Sequence, residues 1–147
     1  MSGIEWTPMK NEKTAYFLDS NVLIYAASMR ANRDPRRSPV AETLVLGSLF
    51  ATSGQIMAEF TSVCRRKSLL TDDALDRWLV FLGTCPSVPV DEIYVRAGLD
   101  FARRYRINYY DAALLAAAER LGAPIFYTED LNHNQVYGSV RAVNPFV

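Results

Sequence analysis

Asp19, Glu59, Asp111 and Asp130 are the residues whose type and placement could do chemistry. Asp19 directly follows the apolar run Ala15-Tyr16-Phe17-Leu18, and Asp130 comes shortly after Ile125-Phe126-Tyr127. Glu59 falls in the early turns of a helix read from Gln55 to Lys67, and Asp111 near the start of one read from Tyr109 to Leu121. If the apolar runs are strands of a parallel sheet, all four acids can converge where ligands bind such sheets, outside the carboxyl ends of the strands. Convergent carboxylates repel one another, the more so in a low dielectric. Without a counter-charge some must hold protons. The common relief is a hard divalent cation with oxygen ligands. Mg²⁺ or Mn²⁺, in a one- or two-metal arrangement, could activate water and stabilise charge on a phosphodiester. That chemistry needs no His or Lys base, which suits a chain with one histidine, His133.

Each acid also has an ordinary reading. Asp19-Ser20-Asn21 could be only a turn and helix cap. Asn108 with Asp111 three positions on resembles a capping box. Glu59 could be a surface helix residue, although Ile56, Met57, Ala58 and Phe60 surround it. Glu129-Asp130 could be a polar turn. The residue pattern leaves both readings open. It does argue against other chemistries: Cys64 and Cys85 are too far apart for a CxxC or zinc-knuckle pair, and no GxSxG elbow accompanies His133.

The elements that would position the acids alternate. A buried strand Ala15–Leu18 leads to a helix Val22–Ala27, and Ser38-Pro39 opens a second helix ending near Gly47. Ser48–Ala51 reads as a strand, Thr52-Ser53-Gly54 as a turn, and Gln55–Lys67 as a helix. Thr71 caps a helix ending near Gly83, with Asp72 and Asp73 in its first turn. A weak strand Ser87–Val90 precedes a helix from Asp91 to Arg106, with Tyr94, Ala97, Phe101 and Tyr105 on one stripe expected to be core. The helix Tyr109–Leu121 is apolar all round from Ala112 to Ala118 and is expected to be buried. Ile125–Tyr127 and Arg141–Val143 are the last strands. This order predicts an α/β sandwich around a mostly parallel sheet.

The chain has 147 residues, 50% of them hydrophobic and 12% aromatic, which fits one globular domain and excludes a disordered chain. Residues 1–14 are polar and aperiodic; they are expected to be a disordered N-terminal extension, with residues 15–147 forming a single domain. No secretory signal or membrane-length apolar run is visible, so a reducing cytoplasm with free thiols is expected. Formal charge is zero, 16 basic against 16 acidic residues, which argues against a generalised polycation. The balance hides an asymmetry. Arg30, Arg33, Arg36, Arg37, Arg65, Arg66 and Lys67 face only Asp34, Glu42 and Glu59 in their part of the chain. Arg36, Arg37, Arg65 and Arg66 are therefore candidates to line the approach of a phosphodiester backbone to the acids, with a solvated charged face as the alternative.

The segments Phe17-Leu18-Asp19-Ser20-Asn21-Val22-Leu23, Met57-Ala58-Glu59-Phe60, Tyr110-Asp111-Ala112-Ala113-Leu114 and Thr128-Glu129-Asp130-Leu131 together resemble the PIN-domain family, and within it the VapC-type toxins. The ending Val143-Asn144-Pro145-Phe146 is similar to one branch. The resemblance runs from Ala15 to the C-terminus. It implies a three-layer α/β/α sandwich and a Mg²⁺- or Mn²⁺-dependent endoribonuclease, the toxin of a toxin–antitoxin pair. The family's acids map onto Asp19, Glu59, Asp111 and Asp130, and its hydroxyl and amide positions onto Ser20, Asn21 and Thr128, which would orient ligands or the attacking water. It also implies a homodimer and a cognate antitoxin. Trp78 and Phe81 could then form a groove for an antitoxin helix, with core burial as the alternative. Asn132 stands where several relatives carry another acid or Gln. That departure keeps a second reading in play: an RNA-binding or regulatory module with weak or no nuclease activity.

Overall fold

The computed structural model describes residues 14–147, so all of the expected N-terminal extension but Thr14 lies outside the described residues. The described chain is a six-stranded sheet with six α-helices. The strands are β1 (Tyr16–Leu18), β2 (Phe50–Ser53), β3 (Ser87–Val88), β4 (Ile125–Tyr127), β5 (Val136–Tyr137) and β6 (Val140–Val143). They lie in the order β3-β2-β1-β4-β6-β5, and every pairing is parallel except the β5–β6 hairpin. The helices are α1 (Ser20–Ala27), α2 (Arg37–Gly47), α3 (Gly54–Arg66), α4 (Asp72–Gly83), α5 (Glu92–Tyr105) and α6 (Tyr109–Arg120).

The chain builds outward from β1 through β2 to β3, then crosses back to lay β4 on the other side of β1. Right-handed crossovers in opposite directions put α1–α4 and α5–α6 on opposite faces of the sheet. This is the expected α/β/α sandwich. The strand order reverses between β1 and β4, and a crevice opens there at the strands' carboxyl ends.

Local chemistry explains most element boundaries. Asp19, Ser53, Thr71, Asp91 and Asn108 each accept a backbone N–H with their side chain at the start of α1, α3, α4, α5 and α6. Capping by Asp19 starts α1 at Ser20, earlier than the expected Val22. Ser38 is not the expected cap of α2: Asp34 Oδ1 accepts from the backbone N–H groups of Arg36 and Arg37, and Ser38 Oγ accepts from Asp34 N, so the helix starts at Arg37, two residues before Pro39. The expected turn Thr52-Ser53-Gly54 is strand up to Ser53, because β3 pairs with both residues, and the strand passes straight into α3. Strand β5, unforeseen in the sequence, pairs with β6 across a tight turn at Gly138, whose φ of 60° favours glycine.

The core lies on both faces of the sheet. Phe17, Leu18, Val22, Leu23, Phe60 and Phe126 are fully buried. Ala112 to Ala118 are all buried, so α6 is enclosed as its sequence implied, and Tyr94 and Phe101 are core residues. Cys64 is buried and Cys85 partly so, and both are free thiols that burial pushes up to about 11. Among the described residues no helix is long and apolar enough to cross a membrane.

Candidate active site

Asp19, Glu59, Asp111 and Asp130 line one cleft of about 480 Å³ at the β1/β4 switch. Four separate elements bring them there: the end of β1, the second turn of α3, the first turn of α6 and the loop after β4. Ser20, Asn21, Gln55, Arg66 and Tyr110 share the lining.

Asp19 is the innermost acid, with 4% of its surface exposed. Its Oδ1 accepts from Ser20 N at 2.7 Å and from Ser20 Oγ at 3.4 Å, and its Oδ2 accepts from Thr128 Oγ1 at 2.7 Å. Thr128 Oγ1 in turn accepts from Asp130 N at 3.1 Å, so one buried hydroxyl ties the two strand-end acids together. Burial pushes the Asp19 carboxyl up from 3.8 to about 7, the Asp130 and Glu59 carboxylates add to the rise, and the bonds from Thr128 and Ser20 oppose it. Burial also raises Glu59, reinforced by Asp111 and Asp130 and opposed by the Gln55 amide. Asp111 is raised by burial and by Asp130. Asn21 sits in the wall, exposed, with no side-chain hydrogen bond among the described residues.

This arrangement stores uncompensated negative charge. Glu59 Oε1 is buried and has no hydrogen-bond partner among the described residues, an expensive state for a carboxylate. Among the described residues no three His, Cys, Asp or Glu side chains are arranged to hold one ion as they stand. The carboxylates of Asp111 and Asp130 make no hydrogen bond among the described residues, however, and can turn. An all-oxygen donor set with an orphaned carboxylate oxygen fits a hard divalent cation.

The basic candidates separate. Arg66 reaches the cleft, while Arg65 is exposed and outside its lining. Arg36 and Arg37, expected beside an RNA path, are engaged internally. Arg36 Nη2 donates to the Phe146 carbonyl at 2.8 Å. Arg37 pairs with Glu129 at 3.1 Å and Asp34 at 3.3 Å, with its guanidinium over the rings of Tyr25 and Phe146. Both arginines hold the C-terminal segment against α1 and α2. Asn132 is exposed and donates to Gln135 Oε1 at 2.8 Å, beside a small recess that also touches Asp111 and Asp130.

The sequence reading missed Gln55. Its amide accepts from Tyr94 Oη at 2.9 Å and donates to the Tyr110 carbonyl at 3.2 Å, one helical turn before Glu59. The four-residue spacing from Glu59, which puts both on one helix face, was the available signal.

A profile of the PIN domain family matches residues 16–139. No curated protein matches the chain. Similar solved structures include a toxin–antitoxin complex from Klebsiella pneumoniae, 17% identical, with a TM-score of 0.66 over 90% of this chain and 98% of that one. VapC20 of Mycobacterium tuberculosis, described as a sarcin-ricin loop cleaving toxin, is 18% identical, with a TM-score of 0.62 over 80% and 92% of the two chains. VapBC2 of Rickettsia felis, bound to a DNA fragment from its promoter, is 15% identical, with a TM-score of 0.59 over 88% and 97%. At these identities the likeness is one of fold. The family profile spans the chain from β1 through the β5–β6 turn and takes in all four acids, and on that ground the chain belongs to the PIN domain family.

Proposed function

We propose that the protein is a Mg²⁺- or Mn²⁺-dependent endoribonuclease, with residues 15–147 as a single nuclease domain. The observation that carries this reading is the convergence of Asp19, Glu59, Asp111 and Asp130 on one cleft with a buried Glu59 oxygen left unpaired. These four carboxylates would hold the cation. When bound, it supplies positive charge and Lewis acidity toward a phosphodiester and water. The chain's own part is positional. Ser20 and Thr128 fix the orientation of Asp19, as hydrogen-bonded partners of metal ligands do. Gln55 steadies Glu59. Arg66 offers a guanidinium to the scissile phosphate or its neighbour.

The similar toxin and toxin–antitoxin structures support a toxin role with a cognate antitoxin. A homodimer acting in the cytoplasm, where RNA is met, completes the proposal. A groove of about 400 Å³ lined by Met29, Val45, Leu46, Leu70, Trp78 and Phe81 suits the apolar face of an antitoxin helix. Leu46 is 84% and Met29 60% exposed, more apolar surface than a finished core face leaves open.

RNA cleavage in Mg²⁺ or Mn²⁺ tests the assignment, comparing wild type with Asp19→Asn and Asp111→Asn. Loss in both variants with the fold intact supports it. Cleavage surviving in both would sink it, and RNA binding without cleavage in the wild type would leave a binding module.

A further inference from the structure

A second recess, of about 600 Å³, adjoins the carboxylate cleft. The two cavities share Gln55, Ala58, Glu59 and Tyr110, so Tyr110 stands on the ridge between them. Their chemistry differs sharply. The cleft holds the acids and Arg66, whereas the recess is walled by Pro89, Val90, Tyr94, Tyr109 and Tyr110, with Glu59 the one charged residue of its lining. A phosphate has no counter-charge there. A flat, uncharged, partly polar group does have partners.

The walls are pre-set. The Tyr110 ring is 63% exposed and packs edge-on against Tyr109 at 5.2 Å. Tyr109 is wedged over Gly98, where even a Cβ would come within 2.9 Å of its ring. At the polar end, Ser53 Oγ and Tyr94 Oη lie 3.0 Å apart, and Tyr94 Oη donates to Gln55 Oε1 at 2.9 Å. That Gln55 oxygen keeps a lone pair for an N–H donor. A rigid aromatic face with a fixed amide beside it is how proteins hold single-stranded bases.

We propose that this recess is a nucleobase subsite: an unpaired base next to the phosphodiester in the carboxylate cleft stacks on Tyr110, with the Gln55 amide oxygen beside it. The inference rests on the ribonuclease reading and assigns its base contact. A base inside a duplex has both faces stacked and cannot enter, so duplex RNA is excluded by shape.

The test uses the full chain carrying Asp19→Asn, so that the strand stays whole, and a short single-stranded RNA bearing photoreactive 5-iodouridine. Crosslinks are expected at Tyr109 or Tyr110, and the same strand annealed to its complement is expected to bind more weakly. Tyr110→Ala is expected to weaken binding roughly tenfold to hundredfold, the range for loss of one base–aromatic stack, with Tyr110→Phe close to the parent. Val90→Glu, at a position 54% exposed, places a carboxylate in the recess and is expected to weaken binding similarly without unfolding the chain. Crosslinks elsewhere, with Tyr110→Ala binding unchanged, would overturn the proposal. So would loss of self-association in Tyr110→Ala with RNA binding intact, which would make the recess an interface between copies. Wild-type cleavage in Mg²⁺ or Mn²⁺ that Tyr110→Ala leaves unaltered defeats only the subsite. No RNA binding or cleavage by any form defeats the ribonuclease reading as well.

Discussion

Glu129 and Asp130 are neighbours in sequence and serve opposite sides of the same loop. Glu129 accepts from Tyr25 Oη at 2.9 Å and from Arg37 Nε at 3.1 Å, while Asp130 faces the cleft with Asp19, Glu59 and Asp111. Glu129 is paired with a guanidinium, and Asp130 has no ion pair among the described residues. The Arg37 pair holds Glu129 toward α1 and α2, and the Thr128 hydroxyl, bonded to Asp130 N, fixes the backbone that presents Asp130 to the cleft.

The two acids should therefore fail differently. Glu129→Ala is expected to destabilise the fold by about 1–2 kcal/mol, the worth of a partly buried charged hydrogen-bond pair, and to leave cleavage largely intact. Asp130→Asn is expected to hold or raise the melting temperature and to lower cleavage by about tenfold or more, as loss of a charge-stabilising group does. Thermal melts beside a cleavage assay separate the two, and the reverse pattern would exchange their roles.

Thr128 joins Asp19 and Asp130 through one oxygen, so its hydroxyl matters more than its shape. Thr128→Val keeps the volume and leaves Asp19 Oδ2 without its donor. Cation affinity and cleavage are expected to fall by about 10–100-fold, the usual cost of losing a partner to a metal ligand. Thr128→Ser is expected to restore most of both. Equal behaviour of the Val and Ser variants, measured as the Mg²⁺ or Mn²⁺ dependence of cleavage, would reduce Thr128 to a packing residue.

What could be read from sequence was local. An apolar run ending in Asp19-Ser20 specifies a strand, a cap and a helix within a dozen residues, and the all-round apolar stretch Ala112–Ala118 specifies burial. Convergence of the four acids followed once the sheet was taken as parallel. Distant partners were invisible. Thr52-Ser53-Gly54 has turn composition, and only pairing with Ser87 and Val88 makes its first two residues strand. Arg37 counted as a free cation until Glu129, far along the chain, came to lie against it. The Tyr94–Gln55 bond likewise links two helices that no short-range pattern relates.

The α5–α6 contact controls where Asp111 stands. A Cβ on Gly98 would lie 2.8 Å from Ala113 Cβ and 2.9 Å from Tyr109 Cε1, so α5 and α6 meet at a glycine. Gly98→Ala must push α6 outward, at a cost of about 1–3 kcal/mol for overpacking, and carry Tyr109 and Asp111 with it. A lower melting temperature together with reduced cleavage is expected, and Ala113→Gly in the same chain should recover part of both. A Gly98→Ala protein as stable and active as wild type would mean that the crossing is loose.

The cleft should make metal-free stability fall as pH rises. Asp19 titrates near 3.8 unfolded and about 7 folded. A carboxyl raised in this way contributes its full stability below the unfolded value and loses it as pH climbs through the folded one. The loss between about pH 4 and pH 7 is on the order of 2–4 kcal/mol for this group. Glu59 and Asp111, also raised, act in the same direction. The metal-free chain is thus expected to melt at a lower temperature at pH 8 than at pH 5.5, and Asp19→Asn to flatten that difference by removing the charge. A cation that binds only the folded, ionised cleft adds stability by mass action. Mg²⁺ or Mn²⁺ should therefore raise the melting temperature at pH 8 much more than at pH 5.5, where protons already occupy Asp19. A pH slope unchanged in Asp19→Asn would place the strain elsewhere, and an equal cation effect at both pH values would detach cation binding from these carboxylates.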